Sequence, residues 1–253
     1  RSVNHTLFAK AQNEKGMLDI NLYQTRYRNF LFEQESIIEQ TQYGRTYQTP
    51  MQQMVNVDNA RVTGIEVKGN LNLDTVLPAP KGLKLYGALG YSKGKLSNST
   101  NLLSIQPLKA VLGLDYEDPD GKWGIFSRLT YLGGKKAKDA KTLEINKRCL
   151  VWTYDPWFGR DICSKEELYQ SVDNYKYLNK SAYVFDLFGF YKVTKDITLR
   201  AGVYNLFNEK YHTWDALRGI NAHSTTNNID EKGLGLERYY APGRNYSASI
   251  EIR

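Results

Sequence analysis

Nine segments of this 253-residue chain alternate apolar and polar residues with a period of two, and compact and long connections alternate between them. The segments are 4–12, 17–32, 55–73, 83–96, 108–116, 123–131, the two arms of 181–211, and 239–253. In Arg61–Leu73, for example, Ile65, Val67, Gly69, Leu71 and Leu73 take one side of a strand, and Gly64, Glu66, Lys68, Asn70 and Asn72 take the other. The charged and amide side must meet water, because burying such groups dry is costly. In 181–211 the tight turn at 194–196 joins two such arms, with Asp186, Arg200 and Gly202 opposite a uniformly apolar face.

The connections at 13–16, 74–82, 117–121 and 193–196 are compact. Those at 33–54, 97–104, 135–180 and 212–238 are mostly long and polar or irregular, although 97–104, with its short Ser/Asn/Thr turn, is no longer than 74–82. In an up-and-down sheet, alternate connections fall at the same end, so one rim carries the turns and the other the loops. A transmembrane β-barrel has this asymmetry, with short periplasmic turns and long extracellular loops. A Greek-key sandwich has no reason to produce it. The expected fold is therefore an all-β, antiparallel transmembrane barrel wall. No apolar run reaches the eighteen or so residues of a spanning helix. The abundance of aromatics, 19 Tyr, 9 Phe and 4 Trp, suits interfacial girdles.

Other chemistry finds little support. The net charge of +7 is spread through strands and turns without a nucleic-acid-binding pattern, so no nucleic acid partner is expected. One local cluster, Lys135, Lys136, Lys138, Lys141, Lys147 and Arg148, reads as a solvated loop or a contact for anionic head groups or protein. With 3 His and no nucleophile–base arrangement, an enzyme is not expected, and no metal site is seen. Cys149 and Cys163 lie close in sequence and read as a local disulfide of an oxidising compartment. Between them lie Trp152, Tyr154, Trp157, Phe158 and Arg160, the residue types that dominate protein–protein hot spots.

The run Tyr204-Asn205-Leu206-Phe207-Asn208-Glu209-Lys210-Tyr211, with Gly243-Arg244-Asn245 near the end, resembles the C-terminal barrel of TonB-dependent outer-membrane receptors. The stretches 179–186 and Tyr-His-Thr-Trp-Asp-Ala-Leu-Arg at 211–218 are similar to the haemoglobin and haemoglobin–haptoglobin receptor branch. Transferrin, lactoferrin and siderophore receptors are the related alternatives, and a secreted, lectin-like β-protein is the alternative from another class. The resemblance implies the C-terminal nine or so strands of a roughly 22-stranded barrel in the bacterial outer membrane, with the plug domain outside 1–253. It also implies a host haemoglobin or related heme or iron carrier as partner, heme as the transported ligand rather than a bound cofactor, and a TonB complex engaged through the plug. Outer-membrane lipid and lipopolysaccharide would surround the wall. Trp214 and Arg218 join the aromatic loop residues as partner-binding candidates, and His212 and His223 are candidate heme ligands.

Overall fold

The computed structural model describes every residue except 221–228 and 230–232. Strands Ser2–Asn13 (β1), Gly16–Gln42 (β2), Arg45–Asn72 (β3), Leu83–Leu96 (β4), Lys109–Glu117 (β5) and Trp123–Leu132 (β6) run up and down in one antiparallel sheet. Lys141–Asp155 (β7) and Arg160–Asn174 (β8) form a separate two-stranded ribbon. Ala182–Lys192 (β9), Ile197–Tyr204 (β10) and Asn245–Ile252 (β11) complete the nine-stranded sheet, β9 pairing directly with β6. The sheet is open, with β1 and β11 at its two edges.

Two of the four expected loops are not loops. Residues 33–54 continue β2 and β3 upward as a hairpin, closed by Tyr43-Gly44 with Gln42 opposite Arg45. Both turn residues take positive φ, 51° and 73°, which is the twist a two-residue hairpin turn needs. The stretch alternates poorly because both its faces are wet above the membrane, so no apolar set has to be kept on one side. Residues 135–180 hold the ribbon of β7 and β8. The final strand begins at Asn245, whereas residues 236–239 form a 3₁₀ turn.

The register confirms the two faces. Leu7, Leu22, Ile65 and Tyr91 stand directly opposite one another on β1 to β4, and Leu112, Leu129 and Leu187 continue the same face on β5, β6 and β9. Large apolar side chains there are solvent-facing, among them Leu112, Ile125, Leu199 and Ile250. A contiguous apolar surface of this size requires a non-aqueous neighbour. Aromatics bracket it: Tyr116 and Trp123 pack at 5.0 Å near the turn end, and Tyr131 and Tyr183 at 5.0 Å near the loop end. Trp123 and Tyr131 are eight residues apart on β6, about 26 Å along the strand. At a tilt of ~40° that is about 20 Å of height, close to the apolar band of an outer-membrane barrel.

On the opposite face Asp115 and Arg128 form a partly buried bidentate pair, with Nη2 2.9 Å from Oδ2. The guanidinium lies over the rings of Tyr86 and Phe188. Phe126 stacks on Phe188 at 5.5 Å, and Phe188 on Tyr204 at 6.4 Å. Asp19–Lys68 and Arg200–Glu251 are ion pairs of the same face. Charges of this kind require the water of a lumen.

Candidate partner-binding rim

Three loop segments are welded together at the end away from the tight turns. Trp214, on a single helical turn (α1, Trp214–Leu217), is 1% exposed, and its indole N–H donates to the Leu103 carbonyl at 2.5 Å. The Tyr175 ring meets it edge-on at 5.5 Å, and the Tyr175 hydroxyl reaches the carbonyls of Leu217 and Ile220, each at 2.6 Å. Burial pushes that hydroxyl far above its ordinary range. Lys135 is buried beside them: its Nζ donates to the Ile105 carbonyl at 2.6 Å and lies 4.9 Å from the Trp214 ring centre. Asn179 is also buried, accepting the Lys135 N–H and donating to the Gly133 carbonyl. Segments 97–108, 133–141, 175–181 and 212–220, from three connections, are therefore one packed layer.

The residues of the Asn-Leu-Phe-Asn run form a latch between strands. Asn205 is 3% exposed and left-handed, φ 51°. Its N–H donates to Asp186 Oδ1 at 2.8 Å, its side-chain amide donates to the carbonyls of Glu209 and Pro242, and its Oδ1 accepts from the Glu209 N–H. Leu206 N–H donates to the Phe185 carbonyl, and Phe207 packs on the Phe185 ring at 5.7 Å. Asn208 Oδ1 accepts the Arg244 N–H at 3.0 Å, and a Cβ on Gly243 would come within 2.8 Å of that oxygen. The Tyr211 carbonyl accepts from Ala241, and Asn245 opens β11 opposite Tyr204. The run thus ties the ends of β9, β10 and β11 together.

Above this layer stand the two hairpins. Cys149 and Cys163 form a disulfide across β7 and β8, with Cα atoms 5.7 Å apart at an irregularity of register around Leu150. Beyond it, Trp157 is 94% exposed, Phe158 69%, Trp152 65% and Tyr154 62%, with Arg160 over the Phe158 ring. The Asp155 carboxylate accepts the N–H groups of Trp157 and Phe158, which fixes the tip. The ribbon leans on the other hairpin: Leu168 N–H donates to Gln48 Oε1 at 2.9 Å, and Gln170 Nε2 to the Glu35 carbonyl at 2.7 Å. The tip of that second hairpin carries Tyr43, 95% exposed. Sequence reasoning missed it, although Tyr43-Gly44 between two extended polar segments was the available signal.

Of the residues singled out from sequence, Trp152, Tyr154, Trp157, Phe158 and Arg160 are therefore together on an exposed tip. Trp214 is not a surface contact, because its indole is the centre of the loop layer. Arg218 is exposed and paired with Asp215 at 2.7 Å. His212 stacks on Tyr240 at 4.3 Å, and its Nε2 lies 2.7 Å from the Leu236 carbonyl, so that nitrogen already has a backbone partner. His223 lies outside the described residues. Of the basic cluster, Lys147 and Arg148 pair with Glu166 and Glu167 on the ribbon, and Lys135 is buried. No group of metal-ligating side chains occurs among the described residues.

Residues 1–206 match the family described as TonB dependent receptor-like, beta-barrel. The hemoglobin-haptoglobin-binding protein A of Haemophilus influenzae is 34% identical over 95% of this chain and 21% of its own length. The hemoglobin and hemoglobin-haptoglobin-binding protein of Haemophilus ducreyi is 34% identical over 100% of this chain and 26% of its own. The chain thus spans about a quarter of the length of these curated relatives. Among solved structures, the copper transporter OprC superposes with a TM-score of 0.67 at 20% identity, over 99% of this chain and 31% of that one. The ferric enterobactin receptor of Pseudomonas aeruginosa gives 0.60 at 21% identity, over 99% and 31%. The family match removes the secreted, lectin-like alternative and identifies the solvent of the apolar face as membrane lipid. The chain belongs to the TonB-dependent receptor β-barrel family of the bacterial outer membrane.

Proposed function

We propose that this chain is the C-terminal barrel portion of a receptor that grips host haemoglobin, free or bound to haptoglobin, and passes its heme inward. The observation that carries this reading is the disulfide-closed tip with Trp157 almost wholly and Phe158 mostly in solvent. Aromatic side chains held rigidly and exposed on a stalk are hot-spot anchors, and a closed loop loses less freedom on binding. The relatives at 34% identity are named for binding haemoglobin and haptoglobin, which supports that partner over transferrin or a siderophore. In this reading a plug outside residues 1–253 closes the lumen and contacts TonB, and heme is cargo.

The test uses the whole receptor on cells, with W157A/F158A as the variant. Removing two central aromatic anchors should weaken haemoglobin binding by at least about tenfold at unchanged surface expression. Unchanged affinity for haemoglobin and for its haptoglobin complex would place the grip elsewhere and overturn the reading.

A further inference from the structure

Outside the rim, on the lipid-facing side of the wall, three cations stand side by side. Arg26 on β2 is directly opposite Arg61 on β3, and Arg61 is directly opposite Lys95 on β4. Lys93 lies one step below Lys95 on the same face, opposite Thr63, which is opposite Gln24. All four cations are exposed. Gln24 Oε1 accepts from Arg26 Nε at 2.9 Å, which orients the guanidinium. Among the described residues none of the four is in an ion pair; the Lys93 ammonium lies 5.6 Å from the centre of the Tyr91 ring, and Asp139 lines a hollow with Lys93 and Lys95.

Like charges directly opposite one another on neighbouring strands destabilise a sheet. A row of three therefore calls for an anion from outside the chain. Its height says which kind. Below the polar step of Gln24, Thr63 and Lys93, the same face carries the apolar row of Leu7, Leu22, Ile65 and Tyr91. A shallow hollow of about 640 Å³ is lined by these residues together with Gln24, Thr63 and Lys93. Tyr91 belongs to the loop-end aromatic level with Tyr131 and Tyr183, so the cations sit where the apolar band gives way to head groups. An anion that reaches this row from the side must belong to a molecule whose apolar part lies against the band.

We infer that Arg26, Arg61, Lys93 and Lys95 form a site for the phosphorylated glycolipid of the outer leaflet, its phosphate on the cation row and an acyl chain in the hollow below. The site borders the loop layer at Lys93 and Lys95 and does not rest on the haemoglobin reading.

The test uses the whole receptor in detergent, titrated with bisphosphorylated lipid A, with enzymatically dephosphorylated lipid A and with inorganic phosphate, and read by native mass spectrometry. Bisphosphorylated lipid A should bind most tightly, and R26Q/R61Q/K95Q should lose about fivefold per cation removed, about a hundredfold for three. The control K10Q/K84Q/K109Q, on the lumen face, should bind as the unaltered receptor does. Heat-modifiable mobility on gels reports folding; if the triple variant fails it, K93Q/K95Q replaces it, with a loss of about twenty-five-fold expected. Equal affinity for dephosphorylated lipid, or full affinity in the folded variant, would overturn the site. Tight binding of inorganic phosphate alone would do the same, since it removes the lipid from the argument. Haemoglobin binding measured on the same preparations separates failure of this site from failure of the receptor reading.

Discussion

The buried ammonium of Lys135 lies over the ring of Trp214, 4.9 Å from its centre, while the indole N–H of Trp214 reaches across to the Leu103 carbonyl. Three separate connections meet at this pair. Trp214→Phe keeps most of the packing and loses the indole hydrogen bond, at about 1 kcal/mol. Trp214→Ala leaves a cavity in the layer and should cost about 3–5 kcal/mol. Hydrogen exchange of residues 101–108, 133–141 and 212–220 should rise together in Trp214→Ala and hardly at all in Trp214→Phe. Deprotection confined to 212–220 would show that the three segments are not one unit.

Burial holds the Lys135 ammonium below the usual lysine range, and the nearby Asp139 only partly opposes this. The unfolded segment therefore binds more protons than the folded one between the lowered value and 10.5. Lys135 should therefore make the layer more stable as pH rises across that window, and the cost of the buried charge is fully present below it. Cleavage of the loop layer by subtilisin should slow, relative to an unstructured substrate, as pH climbs toward 10.0, above which the raised Tyr175 hydroxyl acts in the opposite sense. Lys135→Met should abolish the slope. A slope of opposite sign would mean that the Ile105 and Trp214 contacts outweigh desolvation.

Asn205 combines a left-handed backbone with four hydrogen bonds from a nearly inaccessible position. Alanine there loses the side-chain bonds and strains the backbone, for a total of about 2–4 kcal/mol. Glycine loses only the side-chain bonds, because it adopts positive φ freely. The midpoint of heat-modifiable unfolding in the whole receptor should fall in the order Asn205→Ala below Asn205→Gly below the unaltered chain. If glycine is the worse of the two, the backbone conformation is not what selects asparagine.

The nine wall strands were legible because lipid on one side and water on the other enforce alternation residue by residue. Ile65, Val67 and Leu71 against Glu66, Lys68 and Asn70 are dictated by that contrast, and the observed register keeps them so. The upper halves of β2 and β3 have water on both sides. Gln34, Glu35, Gln48 and Gln53 then satisfy the strand as well as any apolar residue, so no alternation marks it. The burial of Trp214 was equally hidden, because its partners come from two distant connections, Leu103 from one and Lys135 and Tyr175 from the other. The exposed tip was readable because a pair of cysteines closed around a run of aromatics is informative without its neighbours.

The Cys149–Cys163 bond closes a short ring around the tip, and loop-closure entropy for a ring of about 15 residues is worth about 3 kcal/mol. That contribution is local, since the tip lies beyond the ribbon's contacts with the neighbouring hairpin, such as Leu168 to Gln48, and with the loop layer, such as Lys141 to Asn101. C149S/C163S should therefore raise hydrogen exchange across residues 150–162 while leaving β9 and β10 unchanged. The tip aromatics would still be present, but they would have to be ordered on binding. Haemoglobin affinity should fall by a smaller factor than in W157A/F158A, through a slower on-rate as much as a faster off-rate. An affinity loss in C149S/C163S with exchange at the tip unaltered would contradict this account, because the bond would then act as a contact and not as a constraint.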